Sequence, residues 1–183
     1  MPLIAEKNNM SLSKEEIKVI EEKARDLICD AFDVDNEKCV EFPLDLGKIL
    51  NYKKIQLIPV DESVMNNQSH SQDIPIGAYD SQEKRIYVVD TLPYTRLAFT
   101  IAHELGHHIL HQESDIYYRS QYFKGGVVNK KEQEANWFAA SLLMPEDVFK
   151  AYWNSSKDIN RLASYFGVSK MAAKFRLENL NLK

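Results

Sequence analysis

Apolar positions along the chain fall into runs of two periods, and those periods predict the elements. From residue 13 a capping box, Ser13-x-x-Glu16, opens a helix on which Ile17, Ile20, Ala24, Leu27, Ile28 and Ala31 share one face and charges take the other. Such a face suits a partner or the body of the same protein, and packing on the body is the simpler reading. Phe42 to Leu50 reads as a short helix with Pro43 in its first turn. Ile55 to Val60 reads as a strand that ends near Pro59 or lies on an edge. Two more apolar runs, 74–79 and 85–89, flank the polar stretch Asp80-Ser81-Gln82-Glu83-Lys84 and predict a hairpin. Ile86 and Val88 face one side of that sheet; Arg85, Tyr87 and Val89 face the other.

Helical periodicity returns after Thr95 and runs to His111, and again from Lys131 to Met144, where Pro145 stops it. Further helices are expected over 146–153 and as a final pair after Asp158, with Gly167 closing one and Ser169 capping the next. Ala163 and Gly167 also fit a helix-turn-helix, whose second helix would carry Lys170, Lys174 and Arg176. Two stretches lack periodicity. Residues 61–73 form a polar loop in which His70 is read as solvated. Residues 112–130, with Tyr117, Tyr118, Tyr122, Phe123 and Gly125-Gly126, are long enough to read as a lid or specificity loop.

Length and pattern together suggest one domain over 1–183, with a loose N-terminus at 1–12, N-terminal helices at 13–50, a central core at 51–145 and C-terminal helices at 146–183. A hydrophobic content of 44% is enough to build a proper core. The net charge of −4 gives no electrostatic case for a nucleic-acid partner. Cys29 and Cys39 make neither a disulfide framework nor a zinc motif, and a reducing cytoplasm is their simplest setting. No signal pattern opens the chain, and no apolar run is long enough to span a bilayer.

The candidate chemistry sits on the helix that ends near His111. His103-Glu104-x-x-His107 is the H-E-x-x-H pattern of zinc proteases. Residues four apart stack along a helix about 6 Å apart, so the two imidazoles reach a single Zn²⁺. Glu104 projects nearby as a general base for water. Taking about 100° per residue, Arg96, Thr100, His103, Glu104, His107 and His111 share a side, with Ala98, Ile101, Ala102, Leu105 and Ile109 roughly opposite. His108 and His111 are left as supporting or exposed residues. His111 stands two turns, about 12 Å, from His103, too far to join it on one ion. The metzincin continuation also fails, because positions 110 and 113 hold Leu110 and Glu113.

A third ligand must therefore come from another element, and the helix 131–144 offers two carboxylates. Glu134 has Trp137, Phe138 and Ser141 as helical neighbours, whereas Glu132 has Ala135, Asn136 and Ala139. A carboxylate on an aromatic face is costly to bury unless something pairs with it. That reasoning favours Glu134 as the third ligand over Glu132.

The block Phe99-Thr100-Ile101-Ala102-His103-Glu104-Leu105-Gly106-His107, followed by Glu134-Ala135-Asn136-x-Phe138-Ala139-Ala140-x-Leu142-Leu143-Met144-Pro145, resembles the ImmA/IrrE family of metallopeptidases over roughly residues 40 to 180. The resemblance implies an α+β, zincin-like fold: a small, mostly antiparallel sheet on an active-site helix, with added N- and C-terminal helices. It also implies a zinc metallo-endopeptidase with a Glu third ligand, working in the cytoplasm, often on helix-turn-helix repressors. An extended substrate would pair with the edge strand beside the active-site helix, and the Phe-Gly-Val-Ser segment at 166–169 would belong to the protease body. Two rival readings share these residues: a non-proteolytic zinc regulator that binds a repressor or DNA, and a phage or toxin-antitoxin protease.

Overall fold

A computed structural model describes residues 12–63, 65, 76–111, 117–118 and 130–182. The loop containing His70 and most of the stretch read as a lid lie outside the described residues. The elements in chain order are α1 (Lys14–Phe32), a 3₁₀ turn (Glu37–Cys39), α2 (Leu46–Lys53), β1 (Gln56–Val60), β2 (Gly77–Asp80), β3 (Arg85–Val89), α3 (Tyr94–Leu110), β4 (Tyr117–Tyr118), α4 (Lys130–Leu143), α5 (Glu146–Ser156), α6 (Ile159–Phe166) and α7 (Lys170–Asn179). The fold is α+β and zincin-like.

The local signals explain most boundaries. Ser13 accepts from the N–H of Glu16, whose side chain accepts from Ser13 in return, so the capping box forms as expected. Gly167 ends α6 at φ 64°, a left-handed conformation that suits glycine, and the Ser169 side chain caps α7. The helix expected over 42–50 starts later. Asp45 is its N-cap and Pro43 lies upstream, because the aspartate side chain accepts from the N–H of Lys48 and sets the first turn there.

The sheet runs β1-β3-β2-β4. β1 and β3 pair in parallel, while β2 pairs antiparallel with both β3 and β4. Pro59 therefore lies on an edge strand, where its missing N–H costs no ladder bond. One sheet face supplies Ile86 and Val88 to the main core; Ala78 and Val89 join Met65 in a small cluster on the other. α3 packs on β2 and β3, α4 packs on α3, and α1 packs on α4. The zinc-motif helix is thus an inner layer: Thr100, His103, Glu104 and His107 are buried together with Ile101, Ala102 and Leu105. Its polar face meets α4 and the sheet rather than solvent. No helix among the described residues is long and apolar enough to cross a membrane.

The first and last helices are tied to α4 by a buried ion pair. Arg176 of α7, 1% exposed, donates through Nη1 and Nη2 to the two carboxylate oxygens of Glu21 at 2.7 and 3.0 Å. Its Nε donates to the Met144 carbonyl at 3.0 Å, and the Trp137 indole N–H donates to Glu21 at 2.9 Å. Arg176 is therefore withdrawn from the exposed surface that a helix-turn-helix reading gave it. Burial opposes the charge on Glu21, but the Arg176 guanidinium and the indole outweigh it and hold the carboxyl below its ordinary value.

Truncating Glu21 strands a buried guanidinium, so Glu21→Ala is expected to lose about 3–5 kcal/mol of unfolding free energy at neutral pH. Because the folded carboxyl titrates below the unfolded one, this contribution is present at neutral pH and is lost as the pH falls through the folded value. Urea titrations of parent and variant should therefore converge in acid. A gap that stays constant with pH would contradict the account.

Candidate metal centre

The site begins with a close contact between two helices. A glycine in a helix interior costs about 1 kcal/mol relative to alanine, so Gly106 needs a packing reason. A Cβ at Gly106 would lie 3.0 Å from the Ala135 Cα, 3.1 Å from its carbonyl oxygen and 3.3 Å from the Phe138 Cβ. α3 and α4 approach closely here because both present small residues, with Ala139 continuing the buried face of α4. That approach brings a carboxylate from α4 within reach of the histidine row on α3.

The carboxylate is that of Glu132. Its two oxygens stand 3.3 Å from His103 Nε2 and 3.2 Å from His107 Nε2, and the two Nε2 atoms are 3.1 Å apart. Tetrahedral ligands about 2.0–2.1 Å from one ion stand about 3.3–3.4 Å from each other. The spacings come near that value, with Glu132 turning Oε2 to His103 and Oε1 to His107, and one ligand atom from each residue lies within 4.8 Å of the others. His103, His107 and Glu132 are the group of His, Cys, Asp and Glu side chains among the described residues placed to hold a metal, and all are buried.

Glu134, the expected third ligand, is not brought to this group. Glu134 meets His111, with Oε2 2.8 Å from His111 Nε2, at a partly exposed margin of the site. The aromatic neighbours that favoured Glu134 serve other contacts: Phe138 fills the core, and Trp137 turns toward Glu21 of α1. The alanines beside Glu132 carried the usable signal. A small-residue stripe lets helices approach closely, so a carboxylate on that stripe reaches the neighbouring helix. His103, Glu104 and His107 lie where the motif places them.

Hydrogen bonds behind the imidazoles set their tautomers. His103 Nδ1 donates to the Asn136 side-chain oxygen at 3.0 Å, which leaves the Nε2 lone pair facing the centre. Asn136 follows Glu132 by one helical turn, so a single helix supplies both a ligand candidate and the support for another. His107 Nδ1 lies 3.2 Å from His111 Nδ1. Burial, with the nearby His107 and Lys131, lowers the His111 pKa against the opposing pull of Glu134. A neutral His111 that donates Nε2–H to Glu134 presents a bare Nδ1, which accepts from His107 Nδ1–H. Both histidines then aim Nε2 lone pairs at a carboxylate, and such a set needs protons or a cation between its members. Burial disfavours the Glu132 charge, yet the two imidazoles, when protonated and donating Nε2–H, outweigh it and hold its carboxyl far below the usual range.

Glu104 occupies the sheet side of the centre. It is 1% exposed, and a Cβ at Gly77 of β2 would lie 3.1 Å from its Oε1 and 2.4 Å from the Thr100 Cγ2. The absent side chain at Gly77 makes room for the Glu104 carboxylate against the strand. His108 points elsewhere, with Nδ1 in a hydrogen bond with the Tyr79 hydroxyl at 2.6 Å that ties α3 to β2. A large apolar groove of about 1000 Å³, lined by Phe99, Trp137, Met171 and Phe175, runs between α1, α3, α4 and α7. Its lining includes Asn136 but none of His103, His107 and Glu132, so the groove is separate from that group.

Gly106→Ala would force the two helix backbones apart, since Ala135 meets the new methyl with backbone atoms. The expected cost is about 1–3 kcal/mol by chemical denaturation. Metal binding, followed by chelator competition, should weaken with it. Unchanged stability would show that the helices can separate without penalty.

The architecture has a counterpart among solved structures. A Mycobacterium tuberculosis transcriptional regulator superposes with a TM-score of 0.56 at 17% sequence identity, over 87% of this chain and 46% of that one. The chain therefore spans less than half the length of that protein. In sequence, immunity region protein 2 of Bacillus phage phi105 is 29% identical over 121 residues, which is 66% of this chain and 72% of the relative. The family model described as the IrrE N-terminal-like domain, peptidase M78, matches residues 52–178, and the chain belongs to that metallopeptidase family.

Proposed function

We propose that this protein is a zinc-dependent endopeptidase that hydrolyses a peptide bond in a cytoplasmic regulatory protein of the repressor type. The observation that carries the reading is the convergence of the His103, His107 and Glu132 donor atoms at 3.1–3.3 Å, spacings that fit one tetrahedral ion. Two imidazoles and one carboxylate are a donor set that would suit Zn²⁺. A bound Zn²⁺ there supplies a Lewis acid that polarises the scissile carbonyl and lowers the pKa of a water to about 7.

The chain's own residues carry the proton. Glu104, buried beside β2, accepts a proton from the attacking water and delivers it to the leaving nitrogen. A carbon–oxygen bond forms, the carbon–nitrogen bond breaks, and the products are a carboxylate and an amine. Burial of Glu104 keeps bulk water from competing for that proton. The substrate segment is read as extended along β4, the edge strand on the β2 side of the sheet, where backbone bonds give affinity and side-chain pockets give selectivity. Support for a repressor-type substrate comes from the relative's description as an immunity region protein of a phage.

Glu104→Gln should keep bound zinc and lose cleavage by about 10²–10⁴-fold, because the amide cannot take the proton. His103→Ala and Glu132→Gln should both lose zinc, measured as metal stoichiometry after dialysis. The assay mixes purified protein with a repressor encoded beside its gene, with and without chelator. Cleavage that survives both the chelator and Glu104→Gln would remove the mechanism.

A further inference from the structure

The two ligand histidines have unlike supports. Asn136, a neutral amide, backs His103. A carboxylate acting through a second imidazole backs His107: Glu134 Oε2 lies 2.8 Å from His111 Nε2, and His111 Nδ1 lies 3.2 Å from His107 Nδ1. His111 is also fixed by its backbone, since it closes α3 and donates its N–H to the His107 carbonyl at 3.0 Å. The His111 side chain is 6% exposed and that of Glu134 20%, so water competes poorly for either contact. Glu132 and Glu134 thus leave the same turn of α4 toward the same metal centre, one into it and the other behind it.

We propose that Glu134 and His111 are positioning residues that act as a carboxylate–imidazole relay on His107. Glu134 accepts from His111 Nε2–H, which leaves His111 Nδ1 to accept from His107 Nδ1–H and holds the His107 Nε2 lone pair toward the centre. A carboxylate at the far end polarises both hydrogen bonds in one direction and strengthens His107 as a donor to metal. The relay rests on the zinc-site reading given above, but it assigns work to two residues that neither bind the metal nor touch substrate. A merely structural tie between the end of α3 and α4 would affect folding and leave the metal's surroundings alone.

The test compares Glu134→Ala, Glu134→Gln and His111→Gln with the parent. Two readouts apply: zinc affinity by chelator competition, and the visible absorption spectrum of the Co²⁺-loaded protein. Glu134→Ala is expected to weaken zinc by about 10- to 100-fold, the usual effect of removing the partner behind a metal-bound histidine, and to shift the cobalt bands. Glu134→Gln keeps an oxygen that accepts from His111 Nε2–H, so it should recover part of that loss. His111→Gln should weaken zinc and shift the bands as well.

A folded Glu134→Ala protein with parental zinc affinity and cobalt bands would overturn the relay, as would a Gln variant weaker than the Ala variant. If Glu134→Ala does not fold, parental behaviour in both glutamine variants overturns it instead. Glu132→Gln separates the two levels. Loss of zinc there with no effect at residues 111 and 134 ends the relay alone, whereas zinc retained by Glu132→Gln ends the site reading on which it rests.

Discussion

The close approach of α3 and α4 is the constraint on which the rest depends. Gly106 on one helix and Ala135 on the other leave no room for a methyl between them. Any wider spacing would draw the Glu132 carboxylate away from two imidazoles whose positions are set by a different helix. The contact therefore adds the Glu132 carboxylate to an ordinary i, i+4 histidine pair, making a group that could hold a metal ion. It explains a glycine in a helix interior, where intrinsic propensity argues against one. It also explains why the motif helix is buried on its polar face as well as its apolar one.

Holding that contact at a fixed distance falls to the helices outside it. α1 packs on the far side of α4, and the Arg176–Glu21 pair joins α1 to α7 while Trp137 of α4 donates to the same carboxylate. A buried ion pair contributes less net stability than its geometry suggests, because desolvation offsets the attraction. Its strength lies in being costly to leave half-made, so departures from the native arrangement of these three helices are penalised. The sheet on the other side of α3 does the corresponding job for Glu104, which lies against the bare backbone of Gly77. The His103–His107–Glu132 group and the Glu104 carboxylate are thus set by different layers with one helix between them.

The polar groups at this centre are arranged in depth. Three donors face inward, Asn136 and His111 stand behind the two imidazoles, and Glu134 stands behind His111. α4 provides a ligand candidate, an amide support and a terminal carboxylate within residues 132–136. Such density explains why a helix of only modest amphipathicity is held so firmly in the interior, and why two glutamates two residues apart have unlike environments.

Much of the architecture was legible in the chain. The capping box at Ser13, the hairpin around Asp80–Lys84, the stop at Pro145 and the Gly167–Ser169 junction are local signals, and each is satisfied by bonds spanning a few residues. The placing of His103, Glu104 and His107 together was legible for the same reason, since H-E-x-x-H encodes one helix turn. The choice between Glu132 and Glu134 was not. It depends on which face of α4 meets α3, and a burial-cost argument applied to α4 alone selected the carboxylate that lies against His111 rather than the one beside His103 and His107. The inward turn of Arg176 was hidden too, because its partner lies 155 positions earlier in the chain. Local sequence thus determined the helices, their caps and the chemistry each carries. Tertiary structure decided which side chains meet, because that depends on how closely two helix backbones approach, a property belonging to neither helix alone.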